Sequence, residues 1–504
     1  MRCLRPLDLA AFGLVLAACG SGASGSASSG GGAPATVDPS PRGEPAGPPA
    51  PASPPGATST DGGDAGGDAG GDAGDSEPPP APYLHFDVNH ILSTGQSNAV
   101  ALDGIPILST VQPYTNLMFD SGVIPATACD SNGCNVYQKP TSFVPLVEGD
   151  VFFKPIETMS SAMANEAAKL AKERYLVGTG HAAHDVLVSL HGRSGNSYWC
   201  LRKGGCDWWP GNTYVKAFAD GMMEVADGLA LSKAAGKSYV VRAVTTVHGE
   251  HDHYASAGGH SLFPLPGTDG ISVIHDYGEG LEEWQRDYEA GVKAITGQSL
   301  PVPLLVSQYS HWNDVPTTVI AYQQLAAHVR SKGKVVVIGP TYVLPYSSNC
   351  LHITGPGQQH LGEYFAKVYA RVVLEGRRWE PLRPSAITRQ GNIVTAKFLV
   401  PKPPLVLDTA HVTNPGNYGF EFTDDSGAPP AIVNVALAGP DSVTVTLASA
   451  PVGANKRLRY AYTFHGCAGS GTIARGNLRD SDDTPSQAGY DLSNWAVHFD
   501  EALP

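Results

Sequence analysis

The sequence predicts a doubly wound α/β region followed by a β-sandwich. Two patterns of apolar residues along the chain predict this fold class. Between residues 83 and 377, short apolar runs alternate with amphipathic stretches, which indicates a mainly parallel sheet covered on both faces. From residue 381 onward, short alternating runs broken by Gly and Pro take over, as is typical of a β-sandwich. The predicted division is a signal peptide at 1–18, a tether at 19–82, an α/β domain at 83–377 and a β-sandwich domain at 378–504.

The first nineteen residues have the composition of a bacterial lipoprotein signal. Arg2 and Arg5 precede an apolar run over residues 9–18, which ends in Leu-Ala-Ala before Cys19. Such a signal is removed and is not a membrane span. Cleavage before Cys19 would leave a thiol for lipidation, and more than one acyl chain gives a stable anchor. We expect an exported protein anchored to the bacterial membrane, at its periplasmic or cell-surface face; the alternative is a plain secretory signal.

Residues 19–82 are rich in Gly, Pro, Ala and Asp, with a Gly-Gly-Asp-Ala repeat between residues 62 and 74. Such a stretch buries too little apolar surface to offset its ordering entropy, so a disordered tether is expected. Calcium binding is not favoured, because calcium loops need ligands at alternate positions and a closing glutamate. The formal net charge is -14 and no Lys/Arg cluster marks a basic face, which argues against nucleic acid as a partner.

Within the α/β region, hydrophobic periodicity predicts alternating strands and helices. The predicted strands are 85–94, 185–190, 238–247, 303–308 and 334–338. The predicted helices are 159–175, 214–232, 280–295, 319–331 and 357–374. Three of the later alternating runs predict strands of the β-sandwich, at 393–400, 432–437 and 442–447.

Six cysteines follow Cys19, and an even count in an exported protein indicates disulfides. Two pairs are close in sequence, which leaves one long-range pair. The expected bonds are Cys129 to Cys134, Cys200 to Cys206 and Cys350 to Cys467. A metal site is the alternative, yet no His stands at zinc-cluster spacing beside either close pair.

Two sequence blocks hold candidate groups for nucleophilic catalysis, which needs a nucleophile and a base. Gly-Gln-Ser-Asn, at 95–98, follows the first strand, so the Ser97 hydroxyl would lie at a turn beyond the strand's carboxyl end. The block at 349–357 contains His352 just before the last helix. Together they resemble the sialate O-acetylesterase and carbohydrate esterase family 6 branch of the SGNH hydrolases. The resemblance spans roughly residues 86–375 and implies a flavodoxin-like sheet, with Ser97 as nucleophile and His352 as base.

The block at 349–357 is the fourth that matches the family, and it departs from the family because Asn349 stands where the family has the Asp that orients the base. An amide oxygen can accept the imidazole Nδ1–H but offers no charge to stabilise the imidazolium. The alternatives are a Ser97–His352 dyad, or a supporting acid supplied by Glu250 or Asp252.

The resemblance also implies a second block at 189–199 and a third at 247–252. It implies an oxyanion site from the Ser97 N–H, a glycine of the second block and the start of the third block. Gly195 is the better alignment in the second block, and Gly192 is the other. In the third block His248 replaces the family's oxyanion-stabilising Gln, and it could donate from one ring nitrogen. The cluster of His248, His251, Asp252 and His253 could instead bind zinc, which makes a metal hydrolase the chemical rival.

The resemblance implies removal of O-acetyl or other short acyl groups from a carbohydrate or polysaccharide substrate through a Ser97 acyl-enzyme, with no cofactor or metal. Gln96 and Asn98 of the first block are candidate substrate-binding residues, and the aromatic faces of Trp199 and Trp208 suit sugar rings. No obligate protein partner is evident. The alternative is a catalytically weakened carbohydrate-binding or adhesion lipoprotein on the same fold.

Overall fold

A computed structural model describes residues 80–126, 136–151, 154–205, 216–257, 262–311, 318–465 and 473–503. The chain from Ser76 onward forms one compact unit. Several predictions fall outside the described residues and stay predictions: the signal peptide, lipidation of Cys19, nearly all of the tether, and the partners Cys129, Cys134, Cys206 and Cys467. Among the described residues, no helix combines the length and apolar composition needed to span a bilayer.

Within the described residues, the α/β region contains the first eleven strands and the seven α-helices. Its strands are β1 (Val88–Gly95), β2 (Leu117–Phe119), β3 (Phe143–Pro145), β4 (Gly149–Val151), β5 (Lys154–Ile156), β6 (Val186–Leu190), β7 (Tyr239–Val247), β8 (Leu265–Pro266), β9 (Val273–Ile274), β10 (Leu304–Gln308) and β11 (Val335–Pro340). Its helices are α1 (Met159–Leu170), α2 (Tyr198–Leu201), α3 (Ala217–Ala234), α4 (Glu250–Ala257), α5 (Tyr277–Thr296), α6 (Ile320–Ser331) and α7 (Gly355–Tyr369). π-Helical turns extend α1 and α7, at Ala171–Tyr175 and Ala370–Leu374.

The central sheet has seven strands in the order β3-β2-β6-β1-β7-β10-β11. All neighbours pair in parallel except β2 and β3, so the sheet is mixed and mostly parallel, as predicted. The five predicted strands correspond to β1, β6, β7, β10 and β11, and their nearly complete burial explains their nearly continuous apolar runs. Helices cover both faces: α1 and α7 contribute to one hydrophobic core, and α3 and α5 to another.

The C-terminal region is built from nine antiparallel strands. They are β12 (Arg383–Gln390), β13 (Ile393–Leu399), β14 (Val406–Leu407), β15 (Phe420–Thr423), β16 (Ile432–Leu437), β17 (Ser442–Leu447), β18 (Arg457–Tyr460), β19 (Leu478–Arg479) and β20 (Phe499–Ala502). A four-stranded sheet, β12-β13-β17-β16, and a three-stranded sheet, β15-β18-β20, are its largest. Rings from the two sheets meet where Phe398 packs against Phe499, with centroids 6.1 Å apart. This contact supports the predicted β-sandwich, which stays a prediction.

The C-terminal region is bound directly to the central sheet. At the end of β10, the Gln308 side chain accepts a hydrogen bond from the backbone N–H of His498 at 2.8 Å and donates to its carbonyl at 3.1 Å. The Tyr342 hydroxyl donates to the Ala496 carbonyl at 2.7 Å. The two regions also share one continuous hydrophobic core. Residues near 498 therefore pack against the carboxyl end of β10 in the central sheet.

Candidate active site

The candidate site lies where the strand order of the central sheet reverses. The chain passes from β1 to β6 on one side and then returns to β7 on the other. Loops that leave β1 and its two neighbours therefore diverge at their carboxyl ends, and open α/β sheets bind ligands in the crevice that results. The first three sequence blocks follow β1, β6 and β7 in turn, so the fold brings them to one edge.

Gly95 allows the chain to turn sharply into Ser97. Its φ is +130°, and a Cβ there would lie 2.3 Å from the Val247 carbonyl oxygen, so this position requires glycine. Gln96 N–H donates to the same carbonyl at 3.2 Å, which ties the turn to the end of β7. The residues after Ser97 form turns. Ser97 lies in the turn after β1 and is 5% exposed.

Asn98 joins the nucleophile turn to the segment that contains His352. Its side-chain amide donates to the Leu351 carbonyl at 3.0 Å, and its side-chain oxygen accepts the Ile353 N–H at 3.0 Å. The backbone on both sides of His352 is thus hydrogen-bonded to the residue that follows Ser97. The bond from Ile353 joins residues that are 255 positions apart in the sequence.

Backbone pairing joins the two ends of the loop that contains His352. Tyr346 and Ile353 form an isolated β-bridge, and the Ser347 N–H donates to the His352 carbonyl at 2.8 Å. At the tip, Cys350 adopts a φ of +57°, a left-handed conformation that is uncommon for a residue with a side chain. Cys350 is disulfide-bonded, as is Cys200. The predicted partners of both lie outside the described residues, so the pairings stay predictions.

His352 faces a carboxylate that the sequence did not single out. Its Nδ1 lies 3.2 Å from Asp103 Oδ2, whereas Glu250 and Asp252, the expected supporting acids, contact other groups. Burial lowers the pKa of His352, and the charge of Asp103 opposes that shift. Asp103 stands in the turn after Ser97, and the only sequence signal for it is an acid close to the nucleophile.

Asn349 also differs from its expected role as acceptor of the imidazole proton. Its side-chain nitrogen, not its oxygen, lies 3.1 Å from His352 Nδ1. Its oxygen accepts the backbone N–H groups of Leu351 and His352 at 2.9 and 3.0 Å, which fixes the orientation of the amide. Asn349 therefore stabilises the loop turn instead of accepting from the base.

The atoms of the candidate pair that would react have no hydrogen-bond partner among the described residues. In the part of the chain that the structure describes, neither Ser97 Oγ nor His352 Nε2 takes part in a hydrogen bond. Hydrogen bonds between nucleophile and base are often long in free enzymes and shorten when substrate binds. The Ser97 N–H and the Gly195 N–H likewise donate to no acceptor within the described ranges, so both are available to an oxyanion.

The loop after β6 is held against the nucleophile turn by its backbone. Arg193 N–H donates to the Gly95 carbonyl at 2.9 Å, and a Cβ at Gly192 would lie 2.9 Å from that same oxygen. Gly192 thus provides close backbone packing. Gly195, at φ +69°, has open space beside it, which suits a group that faces a ligand.

His248 is not free to serve as the expected oxyanion donor. Its Nδ1 pairs with the Tyr277 hydroxyl at 2.7 Å and its Nε2 with the Asn196 carbonyl at 3.0 Å. Burial lowers the pKa of His248 to about 3, so it is neutral and donates through Nε2 alone. Its single proton therefore holds the loop that contains Gly195.

The imidazoles of the proposed zinc cluster point to different partners. His253 Nδ1 pairs with the Thr318 hydroxyl at 2.9 Å, whereas His248 faces Tyr277 and Asn196. Among the described residues, the group whose ligand atoms lie within 4.8 Å of one another is elsewhere, in the C-terminal region: Asp408, His411 and Asp491. The third block thus lacks the convergence that a zinc site needs.

Glu250 and Asp252 are buried acids that hold neighbouring loops. Glu250 Oε1 accepts from the Asn98 side chain at 2.6 Å, and Asp252 Oδ2 accepts the Tyr198 N–H at 3.0 Å. Burial raises the pKa of Glu250, and it raises the pKa of Asp252 to about 7. Both residues connect the β7 loop to other parts of the site.

Two of the four candidate substrate-binding residues are hydrogen-bonded within the protein, and a third is an aromatic residue that is partly exposed. Gln96 Oε1 accepts the His251 N–H at 3.2 Å, and the Asn98 side chain is fully used within the protein. Trp199 is half-buried, with the Arg202 guanidinium 4.2 Å from its ring centroid. Trp208 lies outside the described residues.

No model of a known protein family and no curated protein matches the chain. Among solved structures, it is similar to a carbohydrate acetylesterase from Xanthomonas citri, with 12% identity over 82% of this chain and 80% of that one, at a TM-score of 0.47. A Mycobacterium smegmatis aryl esterase is 11% identical over 56% of this chain and 97% of its own, at 0.28.

A carbohydrate acetylesterase from Sinorhizobium meliloti is 10% identical over 56% of this chain and 98% of its own, at a TM-score of 0.26. These three similar structures are described as esterases, and none of the three as a sialate O-acetylesterase. That branch therefore stays a prediction.

Proposed function

We propose that this protein is a serine esterase that removes short acyl groups from carbohydrate, with Ser97 as nucleophile and His352 as general base. The observation that carries the proposal is the pairing of Asn98 with both neighbours of His352. These bonds hold the backbone on both sides of His352 against the residue after Ser97, and neither Ser97 Oγ nor His352 Nε2 makes a hydrogen bond within the described residues. Such a pair can pass a proton during acyl transfer.

In the proposed reaction, Ser97 Oγ attacks the acyl carbonyl carbon as His352 Nε2 takes its proton. The oxyanion that forms accepts hydrogen bonds from the Ser97 and Gly195 N–H groups. Collapse breaks the ester bond, and the imidazolium returns the proton to the departing sugar hydroxyl. Water, deprotonated by His352, then attacks the acyl-enzyme. The bond between Ser97 Oγ and the acyl carbon breaks, the imidazolium returns its proton to Ser97 Oγ, and the carboxylic acid leaves.

The carbohydrate part of the proposal rests on the first and last sequence blocks and on the partly exposed ring of Trp199. An aromatic face packs well against the apolar face of a sugar ring. The acetyl group rests on the same resemblance. Assays with different acylated substrates would therefore identify the acyl group and the sugar.

The test is hydrolysis of p-nitrophenyl acetate, followed by acetate release from acetylated xylan and acetylated sialic acid. We expect turnover by the wild type and a loss of about 10³-fold or more in Ser97→Ala. The matched control is Ser194→Ala, an exposed serine in the neighbouring loop, which should keep turnover within a few-fold. Turnover that survives in Ser97→Ala, or that falls on chelation and returns with zinc, would reject the proposal. Sugar binding without hydrolysis by the wild type would support the adhesion alternative instead.

A further inference from the structure

Asp103 is held in place by the turns that follow the nucleophile. The Leu102 N–H donates to the Ser97 carbonyl at 2.9 Å, and the Gly104 N–H donates to the Ala101 carbonyl at 2.8 Å. The Gly104 carbonyl in turn accepts the Glu157 N–H at 2.6 Å. The backbone on either side of Asp103 is therefore fixed relative to Ser97.

The carboxylate of Asp103 faces the loop that contains the base. Its Oδ2 lies 3.2 Å from His352 Nδ1 and accepts from the Asn349 side chain at 2.6 Å and from the Ser347 hydroxyl at 3.0 Å. Three groups from the 347–352 loop thus meet at one carboxylate oxygen. Its side chain is 31% exposed, whereas that of His352 is 9% exposed.

Asn349 cannot perform the same task in this arrangement. Its oxygen accepts two backbone N–H groups and lies 2.8 Å from the Ser347 hydroxyl, whose single proton it shares with Asp103. The amide nitrogen that remains is a donor and cannot accept the imidazole Nδ1–H. Among the residues that the structure describes, Asp103 is the charged group that faces His352.

We propose that Asp103 is the positioning residue of the base: it accepts the His352 Nδ1–H and so supplies, from the turn after the nucleophile, the carboxylate missing at position 349. This inference rests on the proposed function. The Asn349 amide holds Asp103 through its nitrogen and the loop turn through its oxygen. Nucleophile and acid then belong to one loop, and only the base comes from another.

The arrangement predicts that the tautomer of the His352 imidazole decides whether His352 can act as the base. With Asp103 as acceptor, His352 carries its proton on Nδ1 and leaves Nε2 free to take the Ser97 proton. In Asp103→Asn the new amide can donate to Nδ1, which favours the tautomer with the proton on Nε2. That tautomer cannot act as the base.

The test compares four variants in p-nitrophenyl acetate hydrolysis across pH. Asp103→Asn should lower kcat by about 10²–10⁴-fold with little change in KM, by analogy with other serine hydrolases that lose the orienting carboxylate. The acid limb of its pH profile should move to lower pH, because the charge that opposes the burial-induced fall in the His352 pKa is gone. The exchanged variant Asp103→Asn/Asn349→Asp restores a carboxylate beside Nδ1 and should recover about tenfold or more. Asp483→Asn, an 89% exposed acid, is the matched control and should behave as wild type.

Unchanged kcat and an unmoved acid limb in Asp103→Asn would overturn the inference. If Ser97→Ala were still inactive in that case, the proposed function would stand. Asp103→Ala serves where Asp103→Asn fails to fold, and wild-type turnover in it would equally overturn the inference. A wild type that neither turns over ester nor is labelled at Ser97 by a fluorophosphonate would reject the proposed function and the inference with it.

Discussion

The loop after β7 and the pair of loops that contain Ser97 and His352 differ in how their polar groups are used. The β7 loop has the densest run of titratable residues in the candidate site, at 248–253. Yet its His248, Glu250 and Asp252 are buried and hydrogen-bonded to neighbouring loops. Ser97 Oγ and His352 Nε2 make no such bonds within the described residues. The dense run of titratable residues in the β7 loop therefore supports the structure of the candidate site. The candidates for its chemistry are the two atoms that make no hydrogen bond within the described residues.

The largest expected difference between the two regions is between their histidines. His352→Ala should lower kcat by about 10⁴-fold or more, as loss of the base does in other serine hydrolases, with little loss of stability. His248→Ala should lower the free energy of unfolding by roughly 2–5 kcal/mol, because it leaves a cavity and strands the partners of two buried hydrogen bonds. Kinetics and urea unfolding of both variants check this. A folded His248→Ala as inactive as His352→Ala would return His248 to the oxyanion role.

A smaller effect is expected from Asn98, which joins the two regions. Asn98→Ala should lower kcat about 10–100-fold, because the base is no longer held beside the nucleophile turn. The matched control is Asn116→Ala, another buried amide, which bonds Asn165 at 2.9 Å and the Val186 N–H at 3.1 Å. Both variants should lose similar stability in thermal unfolding, and only Asn98→Ala should lose turnover. Equal kcat in the two variants would show that the amide is structural alone.

The smallest expected effect concerns pH and stability in the β7 loop. Burial raises the pKa of Asp252 from 3.8 to about 7, so the folded state binds this proton more tightly than the unfolded state. Its contribution to stability is present below about pH 4 and is lost as pH rises towards 7. Asp252→Asn can still accept the Tyr198 N–H and removes the buried charge.

Asp252→Asn should therefore unfold at a higher urea concentration than the wild type at pH 8 and lose that advantage at pH 4. The exposed control Asp483→Asn should follow the wild type at both pH values. A wild type that gains stability relative to Asp252→Asn between pH 4 and 7 would contradict the assignment of Asp252 as a buried acid.

The central sheet could be predicted because its inner strands are buried on both faces. β1, β6, β7, β10 and β11 read as nearly continuous apolar runs, separated by helices of the expected length. β2 and β3 could not be found, because each has three residues and lies at the less buried edge. Helix α2 has four residues and α4 has weak amphipathicity, so neither has a clear period.

Part of the site could be predicted for a similar reason. The carboxyl ends of parallel strands share an edge, so Ser97 and the blocks after β6 and β7 were placed by the strand assignments. Asp103 could not be found, because its contact with His352 joins residues 249 positions apart and no spacing rule connects them. The role of Asn349 depends on which end of its amide the loop turn uses, and this is set by backbone N–H groups, not by residue type.

The reciprocal bonds between Gln308 and His498 have a consequence for biosynthesis. The two residues are 190 positions apart, so the nascent chain exposes the end of β10 until a much later segment has emerged from the ribosome. A fragment cut at residue 377 would leave the Gln308 amide and the Tyr342 hydroxyl without the partners they have here. The α/β region is therefore expected to mature only together with the segment around residue 498, and trimming the protein for expression would have to spare that segment.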